Sequence, residues 1–94
     1  MICLLTSPEQ ARRTLLDIIY KGEKLLRDSD INDKMFDVWF DCSRKGIQRA
    51  LGNNAYSIES DYLDLNIAFL RYNVEPIQKL RYCIEFILSI IDAL

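Results

Sequence analysis

Ninety-four residues, half of them hydrophobic, allow one small domain (1–94), and the scarcity of glycine (three) and proline (two) favours uninterrupted helices over other elements. A formal charge of −2, with twelve basic and fourteen acidic residues mixed along the chain, forms no cationic stripe and argues against nucleic-acid binding. Histidine is absent, which closes the usual Ser-His-Asp and Cys-His routes to an activated nucleophile and removes the commonest zinc ligand.

The opening MICLLTSPEQ lacks a basic n-region, and its apolar stretch, Ile2 to Leu5, is too short for a signal peptide. No window approaches the ~18 apolar residues of a membrane span. A cytoplasmic protein without membrane contact is therefore expected. The cysteines, at 3, 42 and 83, are odd in number and far apart, so they read as reduced, buried thiols.

Ser7-Pro8-Glu9-Gln10 starts the first helix, with Ser7 as N-cap, Pro8 in the first helical position and Gln10 placed for a capping box. Leu15, Ile18, Ile19, Gly22, Leu25 and Leu26 recur at three- and four-residue steps, and the pattern runs over about 8–27. A second helix follows over about 31–51, capped by Asp30 and closed by Gly52. Its inner stripe is Phe36, Trp39, Phe40, Ser43, Ile47, Ala50 and Leu51. Gly22 and Gly46 sit inside these helices, where glycine costs about 1 kcal/mol relative to alanine; the close approach of a neighbouring helix or a bulky ring would offset that cost.

Residues 52–74 have no clean apolar period. A turn-like start leaves room for a short fourth helix within 57–66, followed by irregular chain to Asn73. The last helix, over 75–94, opens at Glu75-Pro76. It carries one apolar row, Ile77, Leu80, Ile84, Ile87, Ile91 and Leu94, and a second set, Cys83, Phe86 and Ile90. The expected fold is all-α, a small bundle of three main helices (about 8–27, 31–51 and 75–94) with the short fourth helix as an addition.

Apparent chemical motifs fail on inspection. DSDIND, residues 28–33, starts like a calcium loop, but Asp33 stands where glycine is needed and Trp39 where glutamate is needed; a helix-capping turn fits better. No glycine-rich phosphate loop occurs. Glu59, Asp61 and Asp64 lack an acid-base partner and read as solvated charges. Cys83, on an apolar face, reads as a small core hydrophobe. Neither a catalytic residue, a metal site nor a cofactor is expected.

The segments YKGEKLL, VWFDCSRKGIQRALGNNAYS, YLDLNIAF and IQKLRYCIEFILSIIDAL together resemble a helical accessory module found ahead of bacterial Toll/interleukin-receptor-like nucleotide-binding effector domains. The resemblance covers most of the chain. It implies a part in antiphage defence or nucleotide signalling, with assembly as the module's contribution. No catalytic residue transfers, because the family's chemistry lies in the effector domain, which these residues do not include. The chain is then expected as a fragment or a stand-alone relative.

The apolar arc of the last helix exceeds the ~100° that a surface helix buries. Cys83, Phe86, Ile90 and Leu94 are accordingly expected to form an interface with a second copy or a partner helix or domain, making the chain a non-catalytic interaction module. If residues 55–74 cover that face, a monomeric bundle of unassigned function results. The alternative is a small-ligand or nucleotide sensor whose pocket is walled by Trp39, Tyr56, Tyr62 and Tyr72.

Overall fold

A computed structural model describes residues 7–27, 30–52 and 55–94. Cys3, Asp28, Ser29 and the Asn53-Asn54 pair lie outside these. Four helices follow in order: α1 (Pro8–Arg27), α2 (Asp33–Leu51), α3 (Ala55–Tyr72) and α4 (Pro76–Ala93). Sequential helices run antiparallel, α4 closes back on α1, and the product is an up-down-up-down bundle of 36 × 26 × 19 Å. α2 and α4 meet along one diagonal; α1 and α3, on the other, have backbones that stay farther apart.

The start of α1 is built as its residues dictate. Ser7 Oγ accepts a hydrogen bond from the Gln10 N–H at 3.2 Å, and Pro8 occupies the first turn, where its missing donor costs nothing. Ala11, Leu15, Ile18, Ile19 and Gly22 are buried. α2 begins two residues later than the periodicity suggests. Its cap is Asn32, whose Oδ1 accepts from the Met35 N–H at 2.9 Å, and Asp30 stays exposed outside the helix. At the other end Gly52 takes φ 58°, and its N–H donates to the Gln48 carbonyl. Every residue of the expected inner stripe of α2 is buried.

The main departure is α3. A full eighteen-residue helix stands where a short helix and irregular chain were expected. Its core contact is a sparse seam, Ala55, Tyr62 and Phe69, spaced by seven. Ile58 and Leu65 widen the seam on one side, while Leu63, Ile67 and Leu70 lie toward another face. Two apolar sets superposed on one helix blur the 3.6-residue period that would have revealed it. The helix ends in a Schellman turn: Asn73 adopts φ 53°, and the Val74 N–H returns to the Phe69 carbonyl at 3.1 Å.

Because α3 is a complete helix, it covers the second face of α4. Cys83 is 0 % and Ile90 5 % exposed, Phe86 packs its ring 5.1 Å from that of Tyr62, and Leu94 rests half-buried against the core. The strip expected at an interface is thus internal. The excess apolar arc of α4 reflects its place between α1 on one flank and α3 on the other, with α2 across the diagonal.

Candidate functional site

Three places in the bundle combine chemistry with position. The first is a buried polar cluster. Ser43 Oγ donates to the Phe40 carbonyl at 2.6 Å and so accepts from the Tyr62 hydroxyl, also at 2.6 Å. Tyr62 stacks on Phe40 with ring centroids 4.5 Å apart and lies beside Cys83. Burial raises the Tyr62 hydroxyl far above the ordinary phenol range, and the neighbouring Cys83 adds to the effect. Burial also pushes the Cys83 thiol up to about 12, against smaller opposing effects of the Tyr62 hydrogen bond and the charge of Lys79. Neither group ionises near neutrality. The cluster therefore satisfies polar atoms in the core and holds no nucleophile.

The second place is a groove of ≈ 790 Å³ between α1 and α2. Ile18 and Trp39 contribute to its lining, and Lys21, Lys45 and Arg49 bring positive charge. Lys21 pairs with Asp17 and Lys45 with Asp41, each at 3.1 Å. Cys42 opens onto the groove and is exposed, so it is not the buried thiol expected from composition. Beneath the groove the helices interlock. The Trp39 indole donates to the Ile18 carbonyl at 3.1 Å and lies over Gly22, while Ile18 fills the space over Gly46. The two glycines do not face each other; each receives a bulky side chain from the opposite helix.

The third place is the outer side of α3. Tyr56, Ile67 and Leu70 are 84 %, 56 % and 75 % exposed, and the half-buried Leu63 links them into a row along the helix. The row borders α2, to which α3 is tied by Glu59: Gln48 Nε2 donates to both carboxylate oxygens at 2.8 and 2.9 Å, and Arg44 Nε lies 3.6 Å away. Glu59 is thus a strut between helices and not a solvated charge.

The four aromatic residues expected to wall a pocket are dispersed. Trp39 is sealed between α1 and α2, Tyr62 is in the core, and Tyr56 and Tyr72 are exposed at opposite ends of α3. The α3 row places three exposed apolar side chains and a half-buried fourth along one helix. Its signal was present in the excess of apolar positions over 56–70, which a single buried face cannot absorb. Among the described residues, no group of three His, Cys, Asp or Glu side chains is placed to hold a metal ion, and no helix is long and apolar enough to cross a membrane. No protein-family model matches this chain, and neither a curated protein nor a solved structure matches it.

Proposed function

We propose that the chain is a non-catalytic helical interaction module that self-associates, with the contact made by the outer row of α3 instead of by α4. One observation carries the reading: Tyr56, Ile67 and Leu70 lie largely exposed in line on a single helix. Scattered apolar residues are ordinary on a protein surface, but a row on one helix face is what helix-helix docking uses. Each such side chain contributes about 1.5–3 kcal/mol when fully buried. Association costs at least about 4 kcal/mol in lost freedom, so a contact of this size gives affinity in roughly the micromolar range or weaker. The neutral Cys83 and Tyr62, and the commitment of Glu59 to Gln48 and Arg44, support a non-enzymatic role. An assembly role beside a bacterial Toll/interleukin-receptor-like effector rests on the sequence resemblance alone.

Sedimentation equilibrium from 10 to several hundred micromolar (about 40-fold in range) tests the reading against Ile67→Glu with Leu70→Glu. The wild type should gain mass with concentration and the double variant should stay monomeric. A wild type that remains a monomer throughout ends the proposal.

A second reading has the α1–α2 groove behind it. Lys21, Lys45 and Arg49 suit a small anion such as a nucleotide phosphate, replacing the four-aromatic pocket. Titration calorimetry with ATP and pyrophosphate decides it; heats no larger than dilution remove the ligand site.

A further inference from the structure

We propose that copies of the chain join head to tail, the outer row of α3 on one copy docking on the outer row of α1 on the next. The proposal rests on the self-association reading and specifies its geometry. α1 also carries exposed apolar residues one turn apart, Leu16 and Tyr20. They lie opposite the buried Leu15, Ile18 and Gly22 in the helix rotation and thus point out of the bundle. α1 and α3 occupy the wider diagonal, so their outer rows face opposite sides of the molecule.

Charge selects α1 over a second α3 as the occupant. With five basic and three acidic residues α1 is net positive, and Arg12, Arg13, Lys24 and Arg27 surround Leu16 and Tyr20. With one basic and three acidic residues α3 is net negative, and Asp64 sits beside Ile67. On α2, Asp37 and Asp41 continue the helical row of Arg44 and Gln48, which meet Glu59 of α3. Around the α3 row the carboxylates Asp37, Asp41, Glu59 and Asp64 outnumber the cations Arg44 and Arg71. A two-fold pairing of α3 with its copy fares worse. Asp64 is near the middle of Ala55–Tyr72, so an antiparallel pairing about a dyad across the helix at that midpoint brings Asp64 against its own copy. Laid antiparallel on α3, α1 instead brings Tyr20 to Ile67, Leu16 to Leu70 and Lys24 to Asp64. Each copy then has one used and one open face, and the contact repeats without closing unless the rotation makes a ring.

The test uses two variants of the full chain, each confirmed helical by circular dichroism. Leu16→Glu with Tyr20→Glu spoils the α1 row; Ile67→Glu with Leu70→Glu spoils the α3 row. In sedimentation velocity the wild type should grow past a dimer as concentration rises, and each variant alone should remain a monomer. An equimolar mixture should stop at two chains, because one good face of each kind remains. A second pair guards against misfolding: Lys24→Asp should weaken assembly roughly fivefold, and Asp64→Lys in the same chain should restore it. If the α1 variant assembles as the wild type does, or the mixture yields no dimer, the head-to-tail contact is wrong. If the α3 variant still stays monomeric in the first case, self-association through α3 survives. A wild type that never associates removes both.

Discussion

The ring of Trp39 occupies the space over Gly22 so closely that a Cβ there would lie 3.0 Å from Cζ2. The indole cannot retreat freely, because its nitrogen is bonded to the Ile18 carbonyl at 3.1 Å. Gly22 therefore makes room for the hydrogen bond that joins α1 to α2.

This contact sets opposite expectations for the two helical glycines. Gly22→Ala gains about 1 kcal/mol of helix propensity but forces the anchored indole aside, a crowding cost of about 1–3 kcal/mol. Net destabilisation of about 1 kcal/mol should appear as a lower urea midpoint. At Gly46 the added Cβ would meet the Ile18 Cδ1, the free end of a side chain that can turn away. Gly46→Ala should then be the milder change, and a Gly46→Ala loss exceeding that of Gly22→Ala contradicts the packing described.

The Ser43–Tyr62 hydrogen bond is buried: Ser43→Ala takes away the acceptor of the Tyr62 hydroxyl, whereas Tyr62→Phe leaves Ser43 its bond to the Phe40 carbonyl. Ser43→Ala should cost about 1–3 kcal/mol, and Tyr62→Phe, which orphans no donor, about 0.5–1.5 kcal/mol. The double variant leaves no orphan, and its cost should be smaller than the sum of the two by about 1 kcal/mol. Additive losses in a denaturation cycle would mean that the two hydroxyls do not depend on each other.

Alkaline pH should unfold the chain through the same cluster. Both Cys83 and Tyr62 are held neutral in the fold, with pKa values raised above 9.0 and 10.0 respectively. Below pH 9 both states keep the Cys83 proton, and its burial adds no pH dependence. Above pH 9 the unfolded chain releases that proton while the fold retains it, so stability falls by about 1.4 kcal/mol per pH unit until about pH 12. Tyr62 steepens the fall above pH 10. Urea midpoints should be flat from pH 7 to 8.5 and drop beyond; in Cys83→Ala the drop between pH 9 and 10 should be shallower.

Lys79 joins the first turn of α4 to the first turn of α2. Its nearly buried side chain reaches Asp33 at 3.1 Å and lies 5.4 Å from the centre of the Phe36 ring. Asp33 is mostly exposed, so the pair is only moderately shielded. Lys79→Met keeps the apolar stem and should change stability by less than about 1 kcal/mol, whereas Lys79→Ala uncovers Phe36 and should cost about 2 kcal/mol. Equal losses would assign the contribution to charge instead of packing.

What could be read from the residues follows how cleanly each helix separates its faces. In α2, one row from Phe36 to Leu51 turns inward and most of the rest is polar or charged, so stripe and structure coincide. Ser7 and Gly52 likewise have one physical use each, as a cap and as a positive-φ terminator. α3 hides because Tyr62 and Phe69 serve the core while Ile67 and Leu70 face outward, and no single-period test separates them. That one omission also inverted the reading of α4. With only a short helix expected within 57–66, cover for Cys83 and Ile90 was one of two alternatives; the full α3 supplies it, and the exposed apolar row lies on α3.

Trp39, the chain's one tryptophan, is seated in the α1–α2 seam, and this fixes what optical probes can see. Its emission reports whether the first two helices are joined and is largely blind to α3. Release of α3 alone would pass unnoticed in an indole trace, yet would free the stacked Tyr62 and show in tyrosine absorbance. A tyrosine transition that precedes the indole transition would thus identify α3 as the first helix to leave.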